Sequence, residues 1–371
     1  MAIADFTSTP ASAQAEAEPL AAELDRRFEA VVFDWDGTAV PDRQADASDV
    51  RRAIEALCAL GMDFYIVTGT HLDNVDGQLG ARPRGPGRLY ICVNRGSEVF
   101  VAGQHGVELV ERRTATGEED AALDAAARST VAALAARGLQ AEIVSQRLNR
   151  RKVDVIPEPD WVEPPKARIG DLLVAVEGRL RAAGLRGLPE VVQLAAAAAR
   201  ASGLEEPRVT SDAKHVEIGL TDKADAARWV FADLWRRGVS PGLVLVVGDE
   251  FGSLGGLPGS DSLLVVPEYE GAAVVSVGPE PTGAPPGVVH LGGGPEAFLA
   301  LLEDQLARRE RGDVPEIAED ADWTVAVDGL DPELERVHET LLTLADGRIG
   351  TNGSPAWVHP LAEPRVLPAG V

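Results

Sequence analysis

Two aspartates, Asp34 and Asp36, stand one residue apart directly after the apolar run 31–33 and before a Gly-Thr pair. Successive strand side chains point to opposite faces, so these carboxylates converge only where the chain leaves the strand. Converging carboxylates bind protons more readily unless a cation lies between them. The pattern indicates a Mg²⁺ site in which one aspartate is also free to attack phosphorus. A solvated turn after a core strand explains the same residues, because Asp and Gly are common in turns.

Two further positions carry side chains that suit phosphate binding. Thr68, followed by Gly69, ends a second apolar run, where a hydroxyl can donate a hydrogen bond to a phosphate oxygen. Lys223 begins a predicted helix, so its ammonium and the helix N-terminus can both face an anion. The alternatives are a β-branched residue that merely finishes a strand and an ordinary surface lysine.

A third carboxylate is expected at the same sheet edge as Asp34. Asp249 follows the Val- and Leu-rich run 243–247, within the sequence Gly-Asp-Glu. A second acidic ligand beside it would come from Glu250 or Asp261, and Asp261 is preferred because it ends the Gly-rich loop 251–260.

The elements that must position these residues follow a strand–helix–strand order with short links, which predicts a parallel sheet. Ligands of such sheets bind outside the carboxyl ends of the strands. The predicted strands are 31–33, 64–67, 89–93, 243–247, 263–266 and 274–277, and the predicted helices beside them are 48–60, 223–237 and 295–309.

The pattern changes between the two halves of this sheet, where Ala-rich helical stretches alternate with short strands. The fold class is therefore predicted as α/β, a Rossmann-like parallel sheet with an inserted α+β domain and a partial C-terminal β segment. The predicted division is a tail at 1–26, a core at 27–106 and 218–312, an insertion at 107–217, and a final segment at 313–371. The insertion offers a basic cluster as substrate contacts or as a solvated face: Arg147, Asn149, Arg150, Arg151, Lys152 and Lys214.

The composition of the chain limits the partners and the compartment that are expected for the protein. With 35 basic and 59 acidic residues among 371, the net charge of −24 argues against nucleic acid or an anionic membrane as the main partner. Cys58 and Cys92 lie in apolar contexts and suit a reduced, cytoplasmic protein. No run is long and apolar enough to span a bilayer, and the acidic start does not have the order of a signal peptide.

The four chemical segments, in their order along the chain, resemble the motifs of haloacid dehalogenase (HAD) superfamily phosphatases. The inserted domain corresponds to the large α/β cap found in trehalose-phosphate and sucrose-phosphate phosphatases and in phosphomannomutases. The sequence departs from that pattern at Thr70, Ala224 and Ser253, where relatives often carry Arg, Gly and Asp. The resemblance implies Mg²⁺ as the cofactor and a phosphorylated sugar as the substrate. It implies these roles: Asp34 as nucleophile, Asp36 as general acid/base, Thr68, Gly69 and Lys223 in phosphate binding, and Asp34, Asp36, Asp249 and Asp261 at the metal.

Residues 323–371 are similar to the opening of a glycoside hydrolase family 65 protein, with Ala345 and Asn352 as departures. That resemblance implies a truncated start of such a domain, with its remainder as a further partner. A disordered or docking tail is the alternative. Together the two resemblances favour a phosphatase acting on a trehalose-phosphate-like substrate. A sugar phosphomutase and a non-catalytic HAD-like module of a family 65 enzyme are the competing hypotheses.

Overall fold

An eight-stranded, mostly parallel sheet organises the first of two units into which the chain divides, Met1–Glu316. The computed structural model describes residues 22–162, 168–279 and 282–313, together with three short strands beyond them. The strands of the first unit are β1 (Ala30–Phe33), β2 (Asp63–Val67), β3 (Leu89–Val93), β4 (Glu98–Gly103), β5 (Gly106–Arg112), β6 (Glu142–Arg147), β7 (Arg150–Asp154), β8 (Arg208–Ser211), β9 (His215–Gly219), β10 (Val244–Gly248), β11 (Ser253–Leu254), β12 (Leu257–Pro258), β13 (Ala273–Ser276) and β14 (Val288–His290). The α-helices are α1 (Ser48–Ala59), α2 (Leu72–Leu79), α3 (Gly117–Ala135), α4 (Ile169–Ala182), α5 (Leu188–Ala201), α6 (Lys223–Arg236) and α7 (Gly294–Arg311).

The strand order of the main sheet is β14-β13-β10-β1-β2-β3-β4-β5, and all neighbours pair in parallel except β4, which is antiparallel to both β3 and β5. Every residue of β1, β2 and β10 is buried, which is typical of parallel strands covered on both faces. Because β1 pairs in parallel with both β2 and β10, the carboxyl ends of these three strands lie side by side. The α/β prediction is confirmed. The carboxyl ends of β1, β2 and β10 form the sheet edge at which the sequence predicts the functional residues.

Helices cover both faces of the sheet. Val31 and Phe33 point into the cluster formed with α1, α2 and α7, where Phe33 stacks on Phe298 with ring centroids 4.7 Å apart. Ala30 and Val32 point to the opposite face, into the cluster covered by α6. The alternation along β1 therefore anchors the strand from both sides. That rigidity fixes the position of the residue that follows it.

The inserted domain is a four-stranded antiparallel sheet, in the order β6-β7-β9-β8, with a hydrophobic cluster that includes residues of α3, α4 and α5. The predicted start of this domain at residue 107 needs correction, because β5 pairs with β4 in the main sheet. The insertion therefore begins after Arg112. The strand predicted at 263–266 is also wrong, since residues Ser260–Leu264 form a 3₁₀ turn instead.

The second unit, Ile317–Val371, contains three short antiparallel strands, β15 (Leu344–Ala345), β16 (Ile349–Thr351) and β17 (Val366–Pro368), paired in that order. These strands agree with the predicted C-terminal β segment. The rest of the family 65-like stretch, and most of the predicted tail at 1–26, lie outside the described residues. Within the described part of the chain, no helix has both the length and the apolar character needed to cross a membrane.

Candidate active site

The loop after β1 presents its two aspartates on either side of a buried tryptophan. Trp35 is fully buried, and its indole Nε1 donates a hydrogen bond to Gln78 Oε1 at 2.9 Å. Gly37 then turns the chain with a φ of 96°, a left-handed conformation that glycine adopts without strain. Pinned in this way, the loop directs both Asp34 and Asp36 into one cavity, as the sequence predicts.

Lys223 lies against Asp34 in the interior. Its ammonium Nζ is 2.9 Å from Asp34 Oδ1 and 2.6 Å from Asp261 Oδ1, and it donates a hydrogen bond to Ser260 Oγ at 3.2 Å. Burial alone lowers the pKa of the lysine, but the two carboxylates outweigh it and hold its pKa above the usual range. Lys223 is therefore a permanent cation beside the expected nucleophile.

The first turn of α6 explains why Lys223 is held so firmly. Asp222 caps the helix, and its Oδ1 accepts hydrogen bonds from the backbone N–H groups of Ala224 and Asp225 at 2.8 and 3.3 Å. The Asp225 side chain accepts in return from the Asp222 N–H at 2.9 Å. This capping box satisfies the free N–H groups of the first turn and fixes where the helix begins.

Asp249 and Asp261 complete the acidic part of the site. Asp261 is fully buried, and its Oδ2 accepts from the N–H groups of Asp249 and Glu250 at 2.9 and 2.8 Å. Thr38 Oγ1 donates to Asp249 Oδ1 at 3.1 Å and thereby orients that carboxylate. Asp261 thus holds both Lys223 and the loop that carries Asp249.

A divalent cation fits this arrangement. Carboxylate oxygens of Asp34, Asp249 and Asp261 lie within 4.8 Å of one another. Burial, together with the carboxylates of Asp261 and Asp249, raises the pKa of Asp34 to about 8 against the opposing effect of Lys223. An all-oxygen, acidic donor set with uncompensated charge suits Mg²⁺.

The fourth expected metal ligand is not part of this group. Asp36 lies on the other side of Trp35, and its Oδ2 is 3.4 Å from Nε of Arg43. The Asp36 carboxylate lies in the cavity but outside the group of three, so its metal role stays a prediction. Its place in the cavity suits the predicted role in proton transfer.

The cavity itself has a volume of about 190 Å³ and lies between the sheet edge and the inserted domain. Three predicted phosphate-binding residues, Thr68, Gly69 and Lys223, line it together with both loop aspartates. From the inserted domain, the predicted contacts Arg147 and Lys152 reach it. The remaining lining residues are Arg43, Thr70, Arg95, Arg150, Asp212, Glu217, Glu250 and Ser260.

Two predicted substrate contacts point elsewhere. Arg151 alternates with its neighbours along β7 and faces α3, where it forms ion pairs with Asp120 and Asp124 at 2.7 and 2.5 Å. Lys214 is buried in an ion pair with Asp154 at 2.7 Å. Both residues stabilise the inserted domain, so their assignment to the substrate is corrected.

The sequence did not reveal the ion-pair network across the top of the cavity. Glu217 Oε2 lies 2.8 Å from Arg95 Nε and 3.1 Å from Arg150 Nη1, and Glu217 Oε1 lies 2.6 Å from Lys152 Nζ. Burial alone would raise the pKa of Glu217, but the three cations hold it at about 2. Arg150 Nη2 also donates to the carbonyl oxygen of Gly69 at 2.6 Å, so the inserted domain is bonded directly to the core. The only sequence signal was the even spacing of Arg150 and Lys152.

The three motif departures lie in different local settings. Thr70 is buried at the wall of the cavity, and its backbone N–H donates to Thr68 Oγ1 at 3.3 Å. Ser253 lies in the β11–β12 hairpin and is exposed, away from the cavity lining. At Ala224 the backbone N–H serves the helix cap described above.

Comparison with known proteins gives likenesses of fold only. No protein-family model and no curated protein matches the chain. Among solved structures, IMP-bound, N-terminally truncated IMP-nucleotidase of Plasmodium falciparum is 12% identical, with a TM-score of 0.48 over 76% of this chain and 69% of that one. Trehalose-6-phosphate phosphatase of Aspergillus fumigatus is 14% identical, with a TM-score of 0.47 over 77% of this chain and 95% of that one. A trehalose-6-phosphate phosphatase related protein is 14% identical, with a TM-score of 0.42 over 76% of this chain and all (100%) of that one. At such identities and TM-scores, function has to be inferred from the site's own residues.

Proposed function

We propose that the protein is a Mg²⁺-dependent phosphatase that hydrolyses a sugar phosphate through an aspartyl-phosphate on Asp34. The observation that carries this proposal is the buried Asp34 carboxylate, 2.9 Å from the Lys223 ammonium and within the acidic group that also contains Asp249 and Asp261. A nucleophile, a fixed cation and a metal-binding carboxylate set thus meet around Asp34, which itself lines the cavity. Phosphoryl transfer needs all three.

In the first step, an Asp34 carboxylate oxygen forms a bond to phosphorus while the bond from phosphorus to the sugar oxygen breaks. Asp36, protonated, gives its proton to that leaving oxygen. In the second step, a water oxygen forms a bond to phosphorus and Asp36 takes up the water proton. The acyl-phosphate bond breaks, which returns the Asp34 carboxylate and releases inorganic phosphate.

The other residues stabilise charge during both steps. Lys223 and the Thr68 hydroxyl would bind phosphoryl oxygens, since both line the cavity beside Asp34. Mg²⁺ would be held by Asp34 and Asp249, with Asp261 behind them, and would neutralise charge on the phosphoryl oxygens. The inserted domain excludes bulk water and holds the leaving group.

A sugar suits the wall of the cavity that the inserted domain forms, because this wall carries both cations and a carboxylate. Arg150, Glu217 and Lys152 provide both donors and acceptors, which matches the hydroxyls of a sugar. The trehalose-phosphate-like substrate expected from the sequence is one candidate within this class. The other candidates to be tested beside it are the phosphates of glucose, mannose and sucrose.

The test is phosphate release from such a panel with Mg²⁺ and with EDTA. We expect at least one sugar phosphate to be hydrolysed only with Mg²⁺, and Asp34→Asn to abolish the reaction. Asp49→Asn, an exposed aspartate in the first turn of α1, is the matched control and should keep full activity. A folded protein that binds Mg²⁺ and releases phosphate from no ester would contradict the proposal and favour a non-catalytic module.

A further inference from the structure

The loop after β3 has an unusual backbone. Asn94, Arg95 and Gly96 follow one another with φ values of 51°, 56° and 84°, all in the left-handed region. Two of the three are not glycine, and strained residues of this kind persist where the surrounding structure holds them, often at functional sites. A Cβ placed on Gly96 would lie 2.9 Å from the backbone nitrogen of Ala226 in α6. The loop is therefore packed tightly against the helix that begins with Lys223.

This backbone carries a buried arginine into the cavity. Arg95 is 9% exposed, and its N–H donates to the carbonyl oxygen of Thr68 at 3.1 Å. Its side chain lies over Gly69, where a Cβ would be 3.7 Å from the arginine Nε. Arg95 lines the same cavity of about 190 Å³ as Asp34 and Thr68.

The ion pair with Glu217 does not account for all of this arginine. Arg95 Nη1 is buried and makes no hydrogen bond to any of the described residues. Glu217 has two further cations, Arg150 and Lys152, within 3.1 Å of its carboxylate oxygens. Burial lowers the pKa of Arg95, but the carboxylates of Glu217, Asp212 and Glu250 outweigh it and hold the pKa above the usual range, so the guanidinium stays charged. Burial, together with the nearby Arg95 and Arg147, lowers the pKa of Arg150 to about 10 against the opposing effect of Glu217.

We propose that Arg95 binds the phosphoryl group of the substrate, and so supplies a second fixed cation beside Lys223. This rests on the proposed phosphatase function. The guanidinium presents donors in a rigid fork that suits two phosphate oxygens, and the left-handed loop places it at the wall of the cavity that Lys223 also lines. Through Glu217, the same arginine links the phosphoryl site to β9 of the inserted domain.

The test is binding of inorganic phosphate, measured by isothermal titration calorimetry with Mg²⁺, in the wild type and in Arg95→Asn. Asparagine accepts the left-handed backbone but removes the charge. We expect the phosphate affinity to fall about tenfold to a hundredfold, the range for a lost charge-assisted hydrogen bond. Arg112→Asn, which removes an ion-paired, half-exposed arginine of β5 outside the cavity lining, is the control and should leave the affinity unchanged.

A purely structural arginine would behave differently. If Arg95 served only to neutralise Glu217, then Glu217→Gln would remove the need for it, and Arg95→Asn in that background would bind phosphate as tightly as Glu217→Gln alone. We expect the loss of affinity to persist in the double variant and to be partly restored by Arg95→Lys. Wild-type affinity in folded Arg95→Asn, or no phosphate binding by the wild type, would overturn the proposal.

The two proposals fail separately. Arg95-dependent phosphate binding without hydrolysis of any ester would sink the phosphatase function and leave the binding role standing. Ester hydrolysis with unchanged phosphate affinity in Arg95→Asn would contradict the binding role of Arg95 and leave the phosphatase function standing. If Arg95→Asn does not fold, Arg95→Gly, which relieves the left-handed backbone altogether, takes its place in both measurements.

Discussion

At the scale of single residues, the site is defined by several charged side chains that are buried close together. Asp34, Asp249 and Asp261 bring three carboxylates together, and Lys223 is the cation that the structure shows among them. Burial is the main cause of the raised pKa of Asp34, and the carboxylates of Asp261 and Asp249 add to it because one ammonium does not neutralise three carboxylates. We therefore expect the lysine and the divalent cation to neutralise these carboxylates together. Removal of either cation should make the stability of the protein depend more on the other.

Lys223→Met tests this sharing without any need for turnover. Removing one partner of a buried ion pair costs about 3–5 kcal/mol, so the variant should unfold at a clearly lower temperature in EDTA. Mg²⁺ should then raise the melting temperature of the variant more than that of the wild type. Lys152→Met is the control, because Lys152 lines the same cavity but pairs with Glu217. An equal Mg²⁺ effect in all three proteins would contradict the shared role.

The predictability of the site also differs from residue to residue. Asp34, Thr68, Lys223 and Asp249 were predicted because each directly follows a strand or opens a helix, where sequence pattern and position coincide. Arg95 was not, because its orientation depends on a left-handed backbone that an Asn-Arg-Gly sequence does not specify. Glu217 was missed for another reason: its partners come from two different sheets and meet only in the folded protein.

At the scale of elements, the start of α6 is the point where sequence and chemistry meet. Asp222 fixes the first helical residue, and that residue is Lys223. A helix that begins one residue later would turn the lysine about 100° away, given 3.6 residues per turn. The cap is therefore a determinant of the site as well as of stability.

Asp222→Ala should cost about 1 kcal/mol of unfolding free energy, the usual loss for an N-cap. Because the same change releases Lys223, it should also reduce the turnover number for the sugar phosphate. Thr116→Ala is the matched control, since Thr116 closes the same kind of capping box at α3, far along the chain from the site. Urea unfolding should show similar losses for both variants, and only Asp222→Ala should lose activity. Equal activities would mean that the cap has no part in positioning the lysine.

Elements were predicted well where burial was uniform and less well at changes of domain. The strands β1, β2, β3 and β10 are apolar runs that the sequence shows directly. By contrast, β5 is an edge strand with mostly exposed side chains, so its pattern reads like the start of the insertion. The apolar run at 263–266 is not a strand, because its first two residues belong to the 3₁₀ turn Ser260–Leu264, which holds Asp261 against Lys223.

At the scale of the whole first unit, the two chain crossings between core and inserted domain meet at one asparagine. Asn149 sits in the β6–β7 turn with a φ of 60° and is buried. Its Nδ2 donates to Arg113 O at 2.6 Å and to Ser97 Oγ at 3.0 Å, and its Oδ1 accepts from Ala115 N at 2.8 Å. Its carbonyl oxygen accepts from Leu220 N at 3.0 Å on the return crossing. Asn149 thus forms hydrogen bonds to both connections and to the core. We therefore expect the position of the inserted domain to depend on this residue.

Asn149→Gly should weaken the attachment of the inserted domain to the core while it keeps the left-handed backbone. It removes the three side-chain hydrogen bonds but leaves the carbonyl bond to the second crossing. We expect faster amide hydrogen exchange at residues 113–116 and 219–222, with unchanged exchange in the buried strands β1 and β10. The Michaelis constant should rise, because the contacts of Arg150 and Glu217 with the core would be held less often. Asn149→Ala adds backbone strain to the same loss, so it should exchange faster still and unfold at a lower temperature. Exchange in Asn149→Gly that matches the wild type at both crossings would show that other contacts, such as those of Arg150 and Glu217, hold the inserted domain without the Asn149 side chain.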